Sequence, residues 1–449
     1  MKKLIIICLI LSIMVSITCG NHQSVNKENM AEKVKIEFKH AWDAYKQYAW
    51  GHDALEPLSK SYHDWYGVSL LMTPVDAFDT MVLMGLTDEA QDAKELILNN
   101  LSFDKDLDVQ GFEINIRLLG GLLSCYELTG DDGFLALAED LGHRLLPLFD
   151  SPTAMPYRYV HLQTGKTHDH TNNPAEIGTY ILEFGTLSRL TGNPVYYEKA
   201  KKAAQELYKR RSSIGLVGTV IDVNTGEWIN TTSHISGMID SYYESLLKGW
   251  LLFNDDDLKE MWDTSIAAIN KYLKHEVETG VWYGQADMNS GERGDTKFGA
   301  LDAFFPAVLA LNNDVLTAEE LQKSCFKMWN LHGIEPEQIN YVDMTIIHPN
   351  YPLRPEIIES AYYLYHYTKD NKYLEMGMTF YNDLVKYCKV DHGYAALKNV
   401  VTKEKEDSME SFFLAETLKY LYLLFADDET LDFEGVIFNT EAHPLKKVY

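Results

Sequence analysis

Carboxylates recur in this chain where a charge is expensive. Asp76 and Asp79 lie in "TPVDAFDTM", Glu113 in "GFEINIRLLGG", Glu176 and Glu183 in "PAEIGTYILEFG". Asp240 and Glu244 lie in "GMIDSYYESLLKGW", Glu356 and Glu359 in "LRPEIIESAYYLY", Glu410 and Glu416 in "MESFFLAETLKY". Each stands among apolar or aromatic neighbours, where a carboxylate must be paired, hydrogen-bonded, metal-bound or facing water. Taken singly, each has a structural explanation. Glu113 and Arg117 are spaced as a helical ion pair, Glu356 follows Pro355 in a first helical turn, and Glu410 could be a solvated cap. Recurrence at nearly every repeat is what structure alone does not require. A cavity crowded with carboxylates suits a hard cation, calcium rather than zinc. It equally suits glycoside hydrolysis, which sets one protonated and one ionised carboxyl beside a sugar.

The elements that must position these groups repeat. Seven segments share a plan of an apolar, aromatic-rich helix, a turn with Asn, Asp or Gly, and an amphipathic helix. They begin at "VDAFDTMVLMGL" and end at "AETLKYLYLLFADDETLDFEGVIFNTEAHP", and their turns read "LTGDD", "LTGNP", "LFNDDD", "YTKDNK" and "LFADDE". A first helix apolar on all sides is buried on all sides, while the second, as in "EKAKKAAQELYKR", keeps a wet face. An inner ring within an outer ring satisfies both patterns. An open solenoid would need polar capping repeats, and none is present. The expected fold is therefore all-α, an (α/α)7 barrel of seven helical hairpins forming one domain over residues 34–449. The inner helix starts would then converge at one end of its axis. The last hairpin is incomplete, so the terminal segment "EGVIFNTEAHP" is expected to enter the barrel as a plug. "YRYVHLQTGKTHDH" and "VGTVIDVNTGEWINTT" alternate as strands around Thr-Gly turns and predict hairpins on one rim.

A formal net charge of −26 excludes the basic footprint of a nucleic-acid binder. The leader "MKKLIIICLILSIMVSITCG" reads as a secretory signal over residues 1–19, too short and wrongly flanked for a stable membrane span. Cys19 sits where a bacterial lipoprotein is cut and acylated; simple cleavage and release is the alternative. Residues 20–33 read as a polar tether. Cys125, Cys325 and Cys388 are scattered without CxxC spacing, which argues for buried thiols and against zinc, and leaves a disulfide open.

At "FEINIRLLGGLLSCYELTGD", "DSYYESLLKGW", "LRPEIIESAYYLY", "ESFFLAETLKYLYLLF" and "FNTEAHPL", in that order, the chain resembles glycoside hydrolase family 47, the class I α-1,2-mannosidases. The resemblance extends from "WDAYKQYAWGHDALEPLSK" to the last residues. It implies a seven-hairpin barrel plugged by the C-terminus and a Ca²⁺-dependent, inverting exo-α-1,2-mannosidase acting on a mannose-containing oligosaccharide or N-glycan. It further implies that Thr440 holds the ion through its hydroxyl and carbonyl, that Glu356 is the general base, and that Glu113 is the general acid, acting through water. Asp240 is implied as the third essential carboxylate, with the donor between Glu113 and Asp240 left open. An inverting pair stands roughly 6.5–9.5 Å apart. Arg117, Arg354, Glu359, Glu416 and Glu441 match positions that bind mannose or order the ion's waters. Phe412 matches the aromatic on which the sugar rests, and Glu183, with Glu176 beside it, matches a further acid of the pocket. The chain departs from the family at Ala300, where a His is usual, near Ala303, where a disulfide cysteine is usual, and at Met238, where an Arg sets branch preference. With the leader, the resemblance implies an exported bacterial member, periplasmic or lipid-anchored at the outer membrane, acting as a monomer. A non-catalytic glycan-binding lipoprotein, or an α/α-barrel glycosidase of other sugar specificity, stands as the competing reading.

Overall fold

The computed structural model describes residues 25–447. The leader with Cys19, and the beginning of the expected tether, lie outside the described residues. Among those described, fourteen helices stand in two concentric rings. In chain order they are α1 (Lys27–Tyr48), α2 (Met72–Leu83), α3 (Thr87–Asn100), α4 (Gly120–Thr129), α5 (Asp132–Leu145), α6 (Ile181–Thr191) and α7 (Val195–Lys209). There follow α8 (Asp240–Phe253), α9 (Asp256–Tyr272), α10 (Phe305–Leu311), α11 (Val315–Asn330), α12 (Glu356–Thr368), α13 (Lys372–Tyr387) and α14 (Leu418–Phe425).

Even-numbered helices are inner and odd-numbered ones outer, and the sequence explains the division. In α14 every residue but Tyr422 is buried. In α7 only Tyr196, Ala200, Ala203, Ala204 and Leu207 are buried, a single stripe at helical spacing. The turns joining inner to outer helices are short because their side chains end one helix and cap the next. Gly130 closes α4 in the left-handed region (φ +70°), and Asp131 accepts from the Gly133 N–H at 2.9 Å to open α5. Asn254 (φ +54°) and Asp255 do the same between α8 and α9.

The seventh pair differs from expectation. The outer partner of α14 is α1, from the opposite end of the chain, so the N-terminal helix closes the ring. That helix starts at Lys27, and the last seven residues of the expected 20–33 tether are its first turns. Asn26 caps it by accepting from the Asn29 N–H at 2.9 Å.

The connections from outer to next inner helix are long and carry the β structure. Both expected rim hairpins form and each gains a third strand. Tyr159–His161 pairs with Thr167–His168 and with Asp108–Gln110; Val220–Asp222 pairs with Trp228–Asn230 and with Thr171–Asn172. Since inner helices begin where these connections end, the strands and the inner-helix starts share one end of the barrel.

The C-terminus fills the axis. Val436–Phe438 pairs antiparallel with Pro444–Lys446, packed against α8 and α4. Gly120 permits this approach, because a Cβ there would lie 2.4 Å from Asn439 Nδ2. Cys125, Cys325 and Cys388 are buried free thiols, and Ala303 is buried without a cysteine partner.

Candidate active site

A cavity of about 440 Å³ opens at the strand-bearing end. Glu113, Arg117, Asp240, Arg354, Glu356, Glu359, Phe412, Glu416, Thr440 and Glu441 all line it. Asp240 and Glu356 are the first residues of α8 and α12, where the helix dipole favours negative charge. Arg117 and Glu416 sit in two widened π-helical turns, Asn115–Leu119 and Phe413–Thr417, that lead into α4 and α14. Such turns insert an extra residue and re-aim side chains, and they concentrate at functional sites.

Glu183 is the exception among the residues expected here. It is fully buried and does not line the cavity. One oxygen accepts from Asn439 Nδ2 at 2.8 Å and the other from Asn115 Nδ2 at 2.9 Å, so it braces the plug from beneath. Glu176, seven residues earlier, is the acid of that segment that faces the cavity. It is held by Arg158 (3.1 Å), Gln110 (2.9 Å) and Asn173 (3.0 Å).

The two arginines are fixed rather than free. Arg117 Nε donates to Glu113 Oε2 at 3.0 Å and its Nη1 pairs with Glu441, while the guanidinium lies 5.0 Å from the Trp65 ring and 5.8 Å from the Phe412 ring. Burial works against that charge, but Glu441, Glu113 and Asp76 outweigh it and keep Arg117 cationic. Arg354 makes a two-pronged contact with Glu337, at 2.7 and 3.1 Å, and its guanidinium lies 5.9 Å from the Phe412 ring. Deeper, Lys248 pairs with Glu244 and lies 3.8 Å from Glu359, which also accepts from Tyr420 at 3.2 Å.

Burial raises two of the lining carboxyls. Burial pushes Glu356 up to about 7, against the pull of Arg354. Burial raises Asp240 to about 6, partly offset by the Ser241 N–H donated to its Oδ1 at 2.8 Å. Glu356 Oε2 is buried with no hydrogen-bond partner among the described residues. An acid–base pair poised near neutral pH is what proton transfer at a reacting centre needs.

Among the described residues no three His, Cys, Asp or Glu side chains group to hold an ion directly. Thr440 is half-buried on the cavity wall, and neither its hydroxyl nor its carbonyl has a hydrogen-bond partner among the described residues. Two neutral oxygens ringed by carboxylates fit a hard, largely water-ligated cation and do not fit zinc.

Several lining residues escaped sequence reasoning. Gln110, Arg158, Asn173 and Leu301 come from the long connections, where no helical period marks them. Glu337, the partner of Arg354, does not line the cavity and stands in "GIEPEQINY" between α11 and α12; an acid beside a proline ahead of an inner helix was the one available signal.

Comparison with known proteins agrees with this geometry. The sequence profile of glycosyl hydrolase family 47 matches residues 37–447. The chain is 39% identical to alpha-mannosidase I MNS5 of Arabidopsis thaliana, over 98% of this chain and 82% of that one. It is 38% identical to ER degradation-enhancing alpha-mannosidase-like protein 2 of Mus musculus, over 92% of this chain and 77% of that one. Its structure superposes on an alpha-1,2-mannosidase from Trichoderma reesei with a TM-score of 0.86 at 28% identity, covering 94% of this chain and 99% of the other. A cellobiose 2-epimerase from Bacillus thermoamylovorans, at 12% identity and a TM-score of 0.60, shares the fold alone. With a full-length profile match, an inner ring of carboxylates and a plugged (α/α)7 barrel in agreement, the chain belongs to glycoside hydrolase family 47.

Proposed function

We propose that the protein removes terminal α-1,2-linked mannose from oligosaccharides or N-glycans, with inversion at the anomeric carbon and with Ca²⁺ as cofactor. The observation that carries this reading is the convergence of Glu113, from the helical turn Gly111–Ile114 ahead of α4, with Asp240 and Glu356, from the starts of α8 and α12, on one cavity that also receives Thr440. The substrate class is supported by the names of relatives 37–39% identical.

Glu356 takes the proton from the water that attacks the anomeric carbon. Among the described residues its Oε2 has no hydrogen-bond partner, and a bound water would satisfy it. The leaving oxygen receives its proton from Asp240 or, through water, from Glu113. Burial favours the proton-bearing form of Asp240, while Glu113 accepts a hydrogen bond from Arg117 Nε at 3.0 Å. Arg354 and Phe412 fix the sugar's position, one by charge and one by an apolar face. Thr440 would hold Ca²⁺ through its two oxygens, with waters held by Glu359, Glu416 and Glu441; when bound, the ion supplies positive charge to sugar hydroxyls and water.

The test is proton NMR of α-1,2-mannobiose hydrolysis with and without EDTA. First-formed β-mannose that ceases on chelation is expected. First-formed α-mannose would remove inversion, and indifference to EDTA would remove calcium. An aryl mannoside with an activated leaving group should rescue only the variant lacking the proton donor, Asp240→Asn or Glu113→Gln. The leader is read as an export signal cut at Cys19. N-terminal sequencing and fatty-acid labelling at Cys19 distinguish acylation from simple release.

A further inference from the structure

We propose that Glu335, a fully buried acid that does not line the cavity, is a positioning residue that steers the Glu356 carboxylate by donating a hydrogen bond to it across one buried water. The proposal rests on the base role given to Glu356 above and adds a residue behind it. Glu335 precedes Pro336 in "GIEPEQINY", which favours an extended backbone at that point. The loop that carries it is pinned. The Ala300 N–H donates to the Glu337 carbonyl at 3.0 Å, and the Glu337 N–H donates to the Asn350 carbonyl at 2.8 Å. Gln338–Asn340 then joins Lys297–Gly299 and Thr345–His348 in a three-stranded sheet. Glu337 also grips Arg354, two residues before Glu356, at 2.7 and 3.1 Å. The loop is thereby fastened to the segment that starts α12.

Both oxygens of Glu335 are buried without a hydrogen-bond partner among the described residues, as is Glu356 Oε2. Donors in this neighbourhood are spent elsewhere. Arg354 is engaged by Glu337, and the Tyr351 hydroxyl donates to the Arg354 carbonyl at 3.1 Å. While ionised, Glu335 and Glu356 offer only acceptors, and two buried carboxylates would face each other uncompensated. A proton on one of them makes it a donor and removes a charge at once. Burial, then Glu356 and Glu337, push Glu335 well above the ordinary carboxylate range against the pull of Arg354, whereas Glu356 stands at about 7. Glu335 therefore keeps its proton when Glu356 gives its own up. A carboxylic acid held neutral in a dry site serves as a hydrogen-bond donor. A water between the two accepts from the Glu335 O–H and donates to Glu356 Oε2, so both are satisfied. The hydrogen of Glu335 stays on its own oxygen, and Glu356 is free to take the proton of the attacking water. A donor aimed at the base favours its ionised form. Glu356 also faces Arg354, Glu337 and Asp240, and its charge reaches Glu359 and Glu416; Tyr351 and Cys325, both buried, complete the surroundings of Glu335.

The experiment records the pH profile of kcat on α-1,2-mannobiose for wild type, Glu335→Met and Glu335→Gln. On the same proteins the carboxyl-carbon NMR resonance of Glu356, assigned by its loss in Glu356→Gln, is titrated. Glu335→Met removes the donor at similar volume. It should move both the acid limb of turnover and the Glu356 titration upward from about 7 by about one pH unit. Glu335→Gln, whose amide still donates, should bring both back to the wild-type position. A merely structural Glu335 would change the melting temperature and leave limb and titration in place in both variants, which overturns the proposal. A downward shift in both variants would make Glu335 an ionised neighbour of the base and overturns it too, as does an upward shift equal in the two. Should the wild type not cleave the disaccharide, the proposed function fails by itself. The Glu356 titration needs no turnover and then decides the role of Glu335 by the same outcomes.

Discussion

Two parts of this barrel bury charge in opposite ways. Around the C-terminal plug the buried acids Asp76, Asp79 and Glu441 face cationic partners. His443 contacts Asp79 through Nδ1 at 2.7 Å and Asp76 through Nε2 at 3.3 Å. Lys419 reaches Asp79 at 2.7 Å and the Ala442 carbonyl at 2.6 Å, and Arg117 pairs with Glu441. Ahead of α12 and α10 the carboxyls are left wanting. Among the described residues, both oxygens of Glu335, Oδ1 of Asp302 and Oε2 of Glu356 are buried without a hydrogen-bond partner. The energetic outcomes differ accordingly. Burial alone would raise Asp79, but Lys419 and His443 outweigh it and hold the carboxyl low. Burial raises Asp302 to about 7 and drives Glu335 far above the ordinary range, with Glu356 and Glu337 adding to the effect. Matched charge fixes a segment in place; unmatched carboxyls hold protons near neutrality and so lie ready to exchange them.

The sharpest way to break this contrast is Glu356→Gln. If the unmatched side is the reactive one, turnover should fall by about 10²–10⁴-fold, with the melting temperature and sugar affinity nearly unmoved. In the wild type, turnover should drop as pH falls through about 7, since the base must be ionised and its carboxyl titrates there. Loss of folding in the variant, in place of loss of turnover, would place Glu356 with the plug's structural charges.

On the matched side the effect should be on stability. Asp79→Ala strands Lys419 and His443 in a buried site and should cost about 3–5 kcal/mol, read from denaturant unfolding. A cost below about 1 kcal/mol would mean the network holds nothing.

The pH dependence of unfolding separates the sides further. Burial would lower His443, but Asp79 and Asp76 together raise it to about 9. A folded value above the unfolded 6.5 means that its stabilisation is complete below pH 6.5. It is lost as pH rises through about 9, roughly 3 kcal/mol at most. Urea titrations across pH 6–10 should show that decline in the wild type and not in His443→Ala.

The smallest effect belongs to Glu335. Its raised folded value makes it bind more protons folded than unfolded, so its contribution falls as pH rises above the ordinary carboxylate range. Glu335→Gln should therefore change stability little near pH 4 and improve it by about 1 kcal/mol at pH 8. Equal stability at both values would mean Glu335 has a partner in solution.

Much of this was legible in the chain because it depends on local pattern. The all-apolar α14 and the striped α7 differ in period and composition, and that difference assigns inner and outer rings. The caps at Asp131 and Asp255 mark the turns, and "VIFNTEAHP" announces a strand ending in polar groups. Glu183 shows where pattern ended. It follows Glu176 by two turns' worth of chain, and periodicity gives a residue's face without its depth along the axis. The plug reaches Glu183 and leaves Glu176 to the cavity.

The sequence alone determined the repeated hairpins, the carboxylates at inner-helix starts and the membership of Thr440 in a chemically loaded terminus, since each follows from spacing within some twenty residues. Only the tertiary structure decided that α1 closes the ring onto α14, that Glu337 grips Arg354 from a loop, and which buried carboxyls find partners. Those outcomes join residues far apart in the chain. They are set by which surfaces the barrel presses together and excludes from water, a property of the packed whole that no single segment encodes.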